Sequence, residues 1–157
     1  MMRVLLALAL LALPNLSHAA ADEKMLRRAA EIAEICATHM PDGRATERAL
    51  KDAGFRFEGT TPPWKIFSLN GRRILAGTSI PSAKKQGCII SVSKMNPRQA
   101  RALIQPWLTA TNASPVKAKR GTKAWRGSFR GAAVRLGVID KINLRFMWGA
   151  AILAVGE

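Results

Sequence analysis

Apolar residues near the start of the chain recur at the spacing of an α-helix. Leu26, Ala29, Ala33, Cys36 and Met40 are three or four residues apart, so they share one side of a helix predicted over 24–40. Asp22 is a suitable N-cap for this helix, and Pro41 ends it. Because Cys36 lies on the apolar stripe, we expect it to face the core.

Two further helices are predicted, each from its own start signal. A short helix extends over 46–53, with Thr46 as its cap and Gly54 in the left-handed conformation that ends helices. A central helix begins at 96–99, where Asn96 caps, a proline takes the first helical position and Gln99 completes a capping box. Its predicted apolar face consists of Ala100, Leu103, Ile104, Trp107 and Leu108, and Pro106 should kink or shorten its end.

Apolar runs between these helices predict four strands. One begins at 55–57, and the runs 64–69 and 72–78 form a hairpin around Asn70-Gly71, a dipeptide suited to a type I′ turn. The fourth strand covers 87–94 and has Cys88 on one face together with Ile90 and Val92.

Three more strands are predicted after a polar linker at 109–115. They cover 123–130, 132–139 and 143–155, with turns at Gly131 and 140–141 and a bulge at Gly149. Strands joined by short turns pair antiparallel, so the fold class is α+β, a two-layer domain whose antiparallel sheet packs against the N-terminal and central helices. The two halves are compatible with a duplication, but no residue-level repeat is evident.

The N-terminal segment, residues 1–19, has the three parts of a secretory signal. Arg3 supplies a positive charge, residues 4–13 are an apolar run, and Ser17-His18-Ala19 presents small residues for cleavage. Cleavage after Ala19 is the first choice and after Ala21 the second. The apolar run has about ten residues, whereas a membrane-spanning helix needs about 20. The expectation is a signal peptide at 1–19 and a single domain at 20–157, located in the periplasm or secreted.

The chain contains two cysteines, Cys36 and Cys88. In an exported protein, two cysteines most simply form a disulfide with each other. The alternative, a reactive or metal-binding thiol pair, lacks a CxxC spacing and partner ligands.

Charge is distributed unevenly along the chain. Residues 20–62 contain seven lysines and arginines and eight aspartates and glutamates. Residues 63–157 contain 17 lysines and arginines but only two aspartates and glutamates. Such one-sided charge favours salt-dependent association with anionic surfaces.

The residue inventory favours a protein that is not an enzyme. After signal removal His39 is the one histidine left, and there is no tyrosine. Acid–base and triad chemistry both require His39 to lie beside a serine or a carboxylate, and nothing in the sequence indicates such a neighbour. The simplest role of His39 is that of a helix C-terminal residue. No metal-ligand cluster, phosphate-binding loop or cofactor motif is present, so no cofactor is predicted.

The basic segment 117–130 is the strongest candidate for a binding surface. On a strand that starts at Lys123, Trp125 and Phe129 should face one side while Arg126 and Arg130 face the other. Arginine binds phosphate and carboxylate groups in a bidentate manner. The predicted anion contacts are Lys119, Arg120, Lys123, Arg126 and Arg130. The alternative is a solvated strand face with the aromatic residues in the core.

Two stretches resemble small secreted proteins of Gram-negative bacteria that have no assigned activity. One is the Cys-Ala-Thr-His-Met-Pro sequence at 36–41 with the helical segment after it, and the other is the Gln-Gly-Cys sequence at 86–88 followed by 96–100. The resemblance implies a periplasmic protein with a Cys–Cys bond and supplies no function.

The leading hypothesis is therefore a non-enzymatic periplasmic binding or accessory domain. Its basic surface would engage lipid head groups, lipopolysaccharide or an acidic protein, since export makes nucleic acid a poor partner. The first alternative is a protein inhibitor or immunity-type module, which would present Trp64 or Trp125 as an exposed aromatic anchor. The second is an enzyme whose site would converge on His39 or Asp140.

Overall fold

A computed structural model describes residues 21–139 and the backbone of 151–156. Three helices are present in this part of the chain: α1 (Glu23–His39), α2 (Gly43–Asp52) and α3 (Pro97–Ala110). The strands are β1 (Arg56–Thr61), β2 (Trp64–Leu69), β3 (Ile74–Ser79), β4 (Gly87–Val92), β5 (Ser114–Val116), β6 (Thr122–Phe129), β7 (Ala132–Ile139) and β8 (Ala151–Gly156). None of the described helices is long and apolar enough to cross a membrane.

The strands form one antiparallel sheet in the order β1-β2-β3-β4-β8-β7-β6-β5. Alternate side chains along each strand point into the core between the helices and the sheet, for example Phe67 on β2, Ile90 on β4 and Leu136 on β7. The helices therefore cover one face of the sheet, and the predicted two-layer α+β class is confirmed. The opposite face carries Ile66, Leu75 and Ile89 and has none of the three helices on it.

The first helix agrees closely with its prediction. Asp22 caps α1 by accepting a hydrogen bond from the Lys24 backbone N–H at 2.8 Å, and Cys36 is buried on the core side. The second helix begins three residues earlier than predicted. Its cap is Asp42, which accepts from the backbone of Arg44 and Ala45, so the prediction of Thr46 as cap is wrong.

Thr46 is instead a buried residue inside α2. Its hydroxyl donates to the Asp42 carbonyl at 2.9 Å, which satisfies the polar group within the helix. Thr and Asp are both acceptable caps, and here the carboxylate reaches two backbone N–H groups that the hydroxyl does not. Gly54 adopts a positive φ of 86° after the helix, as predicted.

The predicted β2–β3 hairpin is present, but its turn is longer than expected. Leu69 pairs directly with Ile74, so four residues connect the strands rather than two. Asn70, Gly71 and Arg72 all have positive φ, at 54°, 61° and 68°. The Asn-Gly dipeptide thus does bend the chain into the left-handed region, and Arg72 continues in it.

The central helix begins as predicted. Asn96 accepts from the Gln99 backbone N–H, and the Gln99 side chain accepts from the Asn96 backbone N–H, which completes the capping box. Pro106 lies inside α3, yet the helix continues to Ala110. The segment after it, predicted as a linker, contains the short edge strand β5, which alternation did not indicate because it is only three residues long.

The last strands follow the prediction where the structure describes them. β6 and β7 match 123–130 and 132–139 to within one residue, and β8 lies within the predicted 143–155 except for Gly156. The predicted bulge at Gly149, the turn at 140–141 and the signal segment 1–19 lie outside the described residues.

The sheet consists of two similar halves. The first half contains α1, α2 and β1–β4, and the second half contains α3 and β5–β8, with β4 and β8 paired at the centre, so the strand order reads alike from either end. When the two hairpins are superimposed in register on Gly77 and Gly137, Lys65 is equivalent to Lys123 and Phe67 is equivalent to Trp125. Between the aligned positions the first hairpin is two residues shorter than the second, which hides this correspondence in the sequence.

A disulfide joins the two layers. Cys36 on α1 is bonded to Cys88 on β4, with 6.1 Å between their Cα atoms, and both residues are buried. This confirms the predicted pairing.

Candidate functional site

The five predicted anion contacts all lie on or beside β6, in the second half of the molecule. Lys119 and Arg120 are in the loop before the strand, Lys123 and Arg126 are on it, and Arg130 is in the turn after it. All five side chains are exposed. At about 3.4 Å per residue, the length of β6 separates Arg120 from Arg130 by more than 20 Å, so the five do not form one compact patch.

Arg126 and Arg130 do not share a face, contrary to the prediction. The strand ends at Phe129, and Arg130 adopts a φ of 50° in the turn. Its guanidinium therefore returns to the helix side, 5.0 Å from the Phe129 ring centroid, and donates to the Thr38 carbonyl at 3.4 Å. Arg126 alternates with the buried Trp125 and projects from the helix-free face.

The structure adds two residues to the predicted set. Arg135 on β7 lies directly opposite Arg126 in the antiparallel register, and its guanidinium donates to the Lys117 carbonyl at 3.4 Å. Sequence reasoning missed Arg135, although its place between the buried Val134 and Leu136 marks it as an outward-facing position. We call this group the basic edge: Lys117, Lys119, Arg120, Lys123, Arg126 and Arg135.

In the first half, the hairpin equivalent to β6–β7 has carboxylates that pair with its cations. Glu47 accepts from Lys51 at 2.8 Å and from Lys65 at 2.6 Å, and these hydrogen bonds hold the pKa of Glu47 below its ordinary value. Glu58 accepts from Ser68 at 2.5 Å and pairs with Arg72 at 2.6 Å, which likewise lowers the pKa of Glu58.

The part of the second half that the structure describes contains no such carboxylates. Residues 21–92 carry twelve lysines and arginines and eight aspartates and glutamates. Residues 97–139 carry nine lysines and arginines and no aspartate or glutamate. The hairpin alignment makes the contrast local: the equivalents of Arg126 and Arg135 are the uncharged Ser68 and Leu75. Lys65 and Lys123 occupy equivalent positions in the two hairpins, and of these two it is Lys65 that pairs with a carboxylate, that of Glu47.

Aromatic residues near the basic edge serve the core. Trp125 is 5% exposed and packs beneath the Arg101 guanidinium, which lies 4.3 Å from the ring centroid. Trp125 is therefore not an exposed anchor. Trp64 is half-buried on the helix-free face, and the exposed aromatic side chain in the described part is Phe57, at 51%.

The helix-free face presents an uncharged row of residues across the sheet. Gly59, Ile66, Gly77 and Ile89 are successive partners on β1 to β4, and the row continues through β8 to Gly137, Ala124 and Val116. Arg126 and Arg135 lie two residues from this row, at one border of it.

The structure brings no catalytic or metal-binding group together in its described part. His39 is the last residue of α1, as expected for a cationic or polar side chain at a helix C-terminus. Among the residues described, no three histidines, cysteines, aspartates or glutamates are close enough to hold a metal ion. Asp140 lies outside the described residues.

Comparisons with known proteins found no matching protein-family model, no matching curated protein and no matching solved structure.

Proposed function

We propose that this protein is a non-enzymatic periplasmic binding domain that engages an anionic partner through the basic edge. One observation carries the proposal: the two halves have the same strand arrangement, but residues 21–92 carry eight carboxylates beside twelve lysines and arginines, whereas residues 97–139 carry nine lysines and arginines and no carboxylate. The first half shows that this arrangement can hold carboxylates that pair with its cations. The larger excess of positive charge over residues 97–139 is therefore best explained by a partner that supplies the negative charge.

The positions of the cations fit a broad anionic surface better than a small ligand. The basic edge follows the outer strands β5, β6 and β7 and the loop before β6, with exposed side chains on both faces of the sheet. A membrane or lipopolysaccharide surface, with repeated phosphate groups, contacts such a border without a deep pocket. Each lysine or arginine near an anionic membrane surface contributes roughly 1 kcal/mol of binding free energy.

The buried disulfide supports an oxidising compartment such as the periplasm. Thiols in the cytosol are kept reduced, whereas disulfides persist in exported proteins. The first described residue adds a detail to the proposed processing. Ala21 is buried in the core, and its carbonyl accepts from the Gln99 side chain at 3.2 Å. Cleavage after Ala21 would remove this contact, so cleavage after Ala19 suits the fold better.

Co-sedimentation with lipid vesicles tests the proposal. The protein should bind vesicles that contain phosphatidylglycerol at low salt and should be released at high salt, while neutral vesicles bind little at either. Binding to neither vesicle type would contradict the membrane-surface proposal and would favour an acidic protein partner. Binding that does not respond to salt would contradict both, because it would not be electrostatic.

A matched pair of double variants identifies the surface. Lys119→Gln with Arg120→Gln neutralises two neighbouring cations in the basic edge, and Lys84→Gln with Lys85→Gln does the same in the β3–β4 loop of the first half. All four side chains are exposed, so both variants should fold. The first variant should lose affinity for anionic vesicles, and the second should keep most of it.

A protein inhibitor module remains the second candidate, and the uncharged row on the helix-free face favours it. Sheet faces with apolar centres and charged borders are suited to a protein partner. If this face binds a protein, Trp64→Ala should weaken that complex and leave vesicle binding unchanged.

A further inference from the structure

A groove lies on the helix side of the molecule, between α1, α3 and the end of β6. Its volume is about 380 Å³. This falls within the range of small-molecule sites, roughly 300–1,000 Å³. Alanines at 30, 33 and 37 form one wall because they repeat every three or four residues along α1. Their short side chains do not fill the space between the helices, which leaves the groove open.

Aromatic side chains form the opposite wall. Trp107 on α3 stacks on Phe129 with 6.4 Å between ring centroids and an angle of 16° between ring planes. Both rings line the groove and are half-buried. A wall of parallel rings facing a wall of methyl groups makes a largely apolar site. This lining suits an alkyl chain better than a polar metabolite.

Two charged side chains border the groove. The Arg130 guanidinium lies over Phe129, and its single hydrogen bond to the Thr38 carbonyl leaves most of its five N–H donors available. Glu34 lines the α1 wall one turn before Thr38 and is exposed. The carboxylate opposes an anionic ligand, but the guanidinium is the group next to the aromatic wall, and residues 97–139 carry nine lysines and arginines and no carboxylate.

We propose that this groove binds the alkyl chain of a single-chain anionic amphiphile such as a fatty acid. The chain lies between the alanine wall and Trp107, and the carboxylate accepts hydrogen bonds from Arg130. The site goes beyond the proposed function, because it lies on the helix side and none of the residues of the basic edge lines it.

Calorimetric titration of the purified protein with decanoate, below its micellar concentration, tests the site. Saturable binding near one molecule per chain is expected, and decyltrimethylammonium, which has the same chain and the opposite charge, should bind at least about tenfold more weakly. Absence of saturable decanoate binding would overturn the proposal. Equal affinity for the two amphiphiles would overturn the assignment of the head group to Arg130.

Variants locate the site and keep the test valid if one of them fails to fold. Ala37→Phe on α1 and Ala110→Leu on α3 each fill the groove from a different helix, and either should abolish decanoate binding. If a folded variant binds as the unmodified protein does, the ligand lies elsewhere and the proposal is wrong.

Two surface substitutions of opposite sign test the electrostatics. Arg130→Gln should weaken decanoate binding about tenfold, and Glu34→Gln should strengthen it, because each removes one charge beside the proposed head group. Lys84→Gln with Lys85→Gln, far from the groove along the chain, should have no effect. If that control weakens binding as much as Arg130→Gln, the interaction is a general response to net charge and the site is refuted.

Discussion

Individual charged residues in the first half already have partners. Glu47 links α2 to β2 through its contacts with Lys51 and Lys65, and Glu58 links β1 to the β2–β3 turn through Arg72. These contacts give Glu47 and Glu58 a structural role, because each carboxylate connects two elements of the first half.

Replacing Glu47 with glutamine should destabilise the protein at neutral pH by about 1 kcal/mol, since partly solvated ion pairs are screened. The pKa of Glu47 is lowered by its hydrogen bonds to Lys51 and Lys65, so its contribution is present above the ordinary glutamate pKa of about 4.3. The contribution disappears as the pH falls through the lowered pKa. Urea unfolding at pH 7 and near pH 3 measures the difference between the two proteins, which should be lost in acid.

Glu23→Gln is the matched control for this measurement. Its side chain is 84% exposed and contacts Arg27 alone among the described ion pairs, so the free energy of unfolding should hardly change. If Glu47→Gln behaves like this control at pH 7, the link between α2 and β2 does not stabilise the fold.

Gly127 is a residue where a side chain has no room. A Cβ there would collide with the Thr111 carbonyl at the end of α3 and would lie 2.9 Å from the Thr111 Cβ. Gly127→Ala should therefore lower the free energy of unfolding by about 1–3 kcal/mol. Gly137→Ala, on the neighbouring strand, has its nearest neighbour at 3.6 Å and should cost much less. Denaturant unfolding of both variants tests this contrast, and equal losses would contradict it.

At the scale of elements, capping determines where the helices begin. Asn96 and Gln99 each accept from the backbone N–H of the other, which satisfies groups that the first turn of α3 leaves open. Asn96→Ala should destabilise the protein by about 1 kcal/mol, and Asn96→Asp should restore most of the loss. Thermal unfolding of the three proteins measures this. Equal melting temperatures for the alanine and aspartate variants would show that the cap is not responsible.

Most elements were predictable because their signals are local. The Asn96 capping box, the apolar stripe of α1 and the alternation in β4 each depend on residues within one turn or one strand of each other. The missed strand β5 depends on a more distant contact, because it exists by pairing with β6. The missed Asp42 cap is different, since its signal is local: the carboxylate accepts from the backbone N–H groups two and three residues later.

The candidate site followed the same rule. The segment with the cations was identifiable from its composition, whereas the neighbour of Arg126, which is Arg135, is defined by the register of β6 and β7. The turn conformation of Arg130 likewise depends on where the strand ends. Local sequence therefore indicated the right part of the chain but not which side chains lie together.

At the scale of the whole molecule, the two halves share one core, and the disulfide joins α1 to β4 within the first half. Cys36 and Cys88 are 52 residues apart, and a bond that closes a loop of this length stabilises by about 4 kcal/mol in the chain-entropy model. Cys36→Ala with Cys88→Ala should therefore lose a large part of the stability. Urea unfolding of the variant, compared with the oxidised and the reduced parent, measures it. A reduced parent as stable as the oxidised one would contradict this role.

The processing proposal also applies to the whole chain. Export should yield a mature protein that begins at Ala20, since Ala21 belongs to the core and holds Gln99. Mass measurement of the protein from the cell envelope decides this. A protein that begins at Asp22 would contradict it, and one that retains Met1 would contradict cleavage altogether.

The central claim is that the basic edge is a binding surface. The most direct measurement is the ratio of dissociation constants of the two double variants for phosphatidylglycerol vesicles at low salt. If each cation of the basic edge contributes roughly 1 kcal/mol, Lys119→Gln with Arg120→Gln should bind about tenfold or more weaker than Lys84→Gln with Lys85→Gln, although the two proteins have equal net charge. A ratio of one would show that only total charge matters and would contradict the claim.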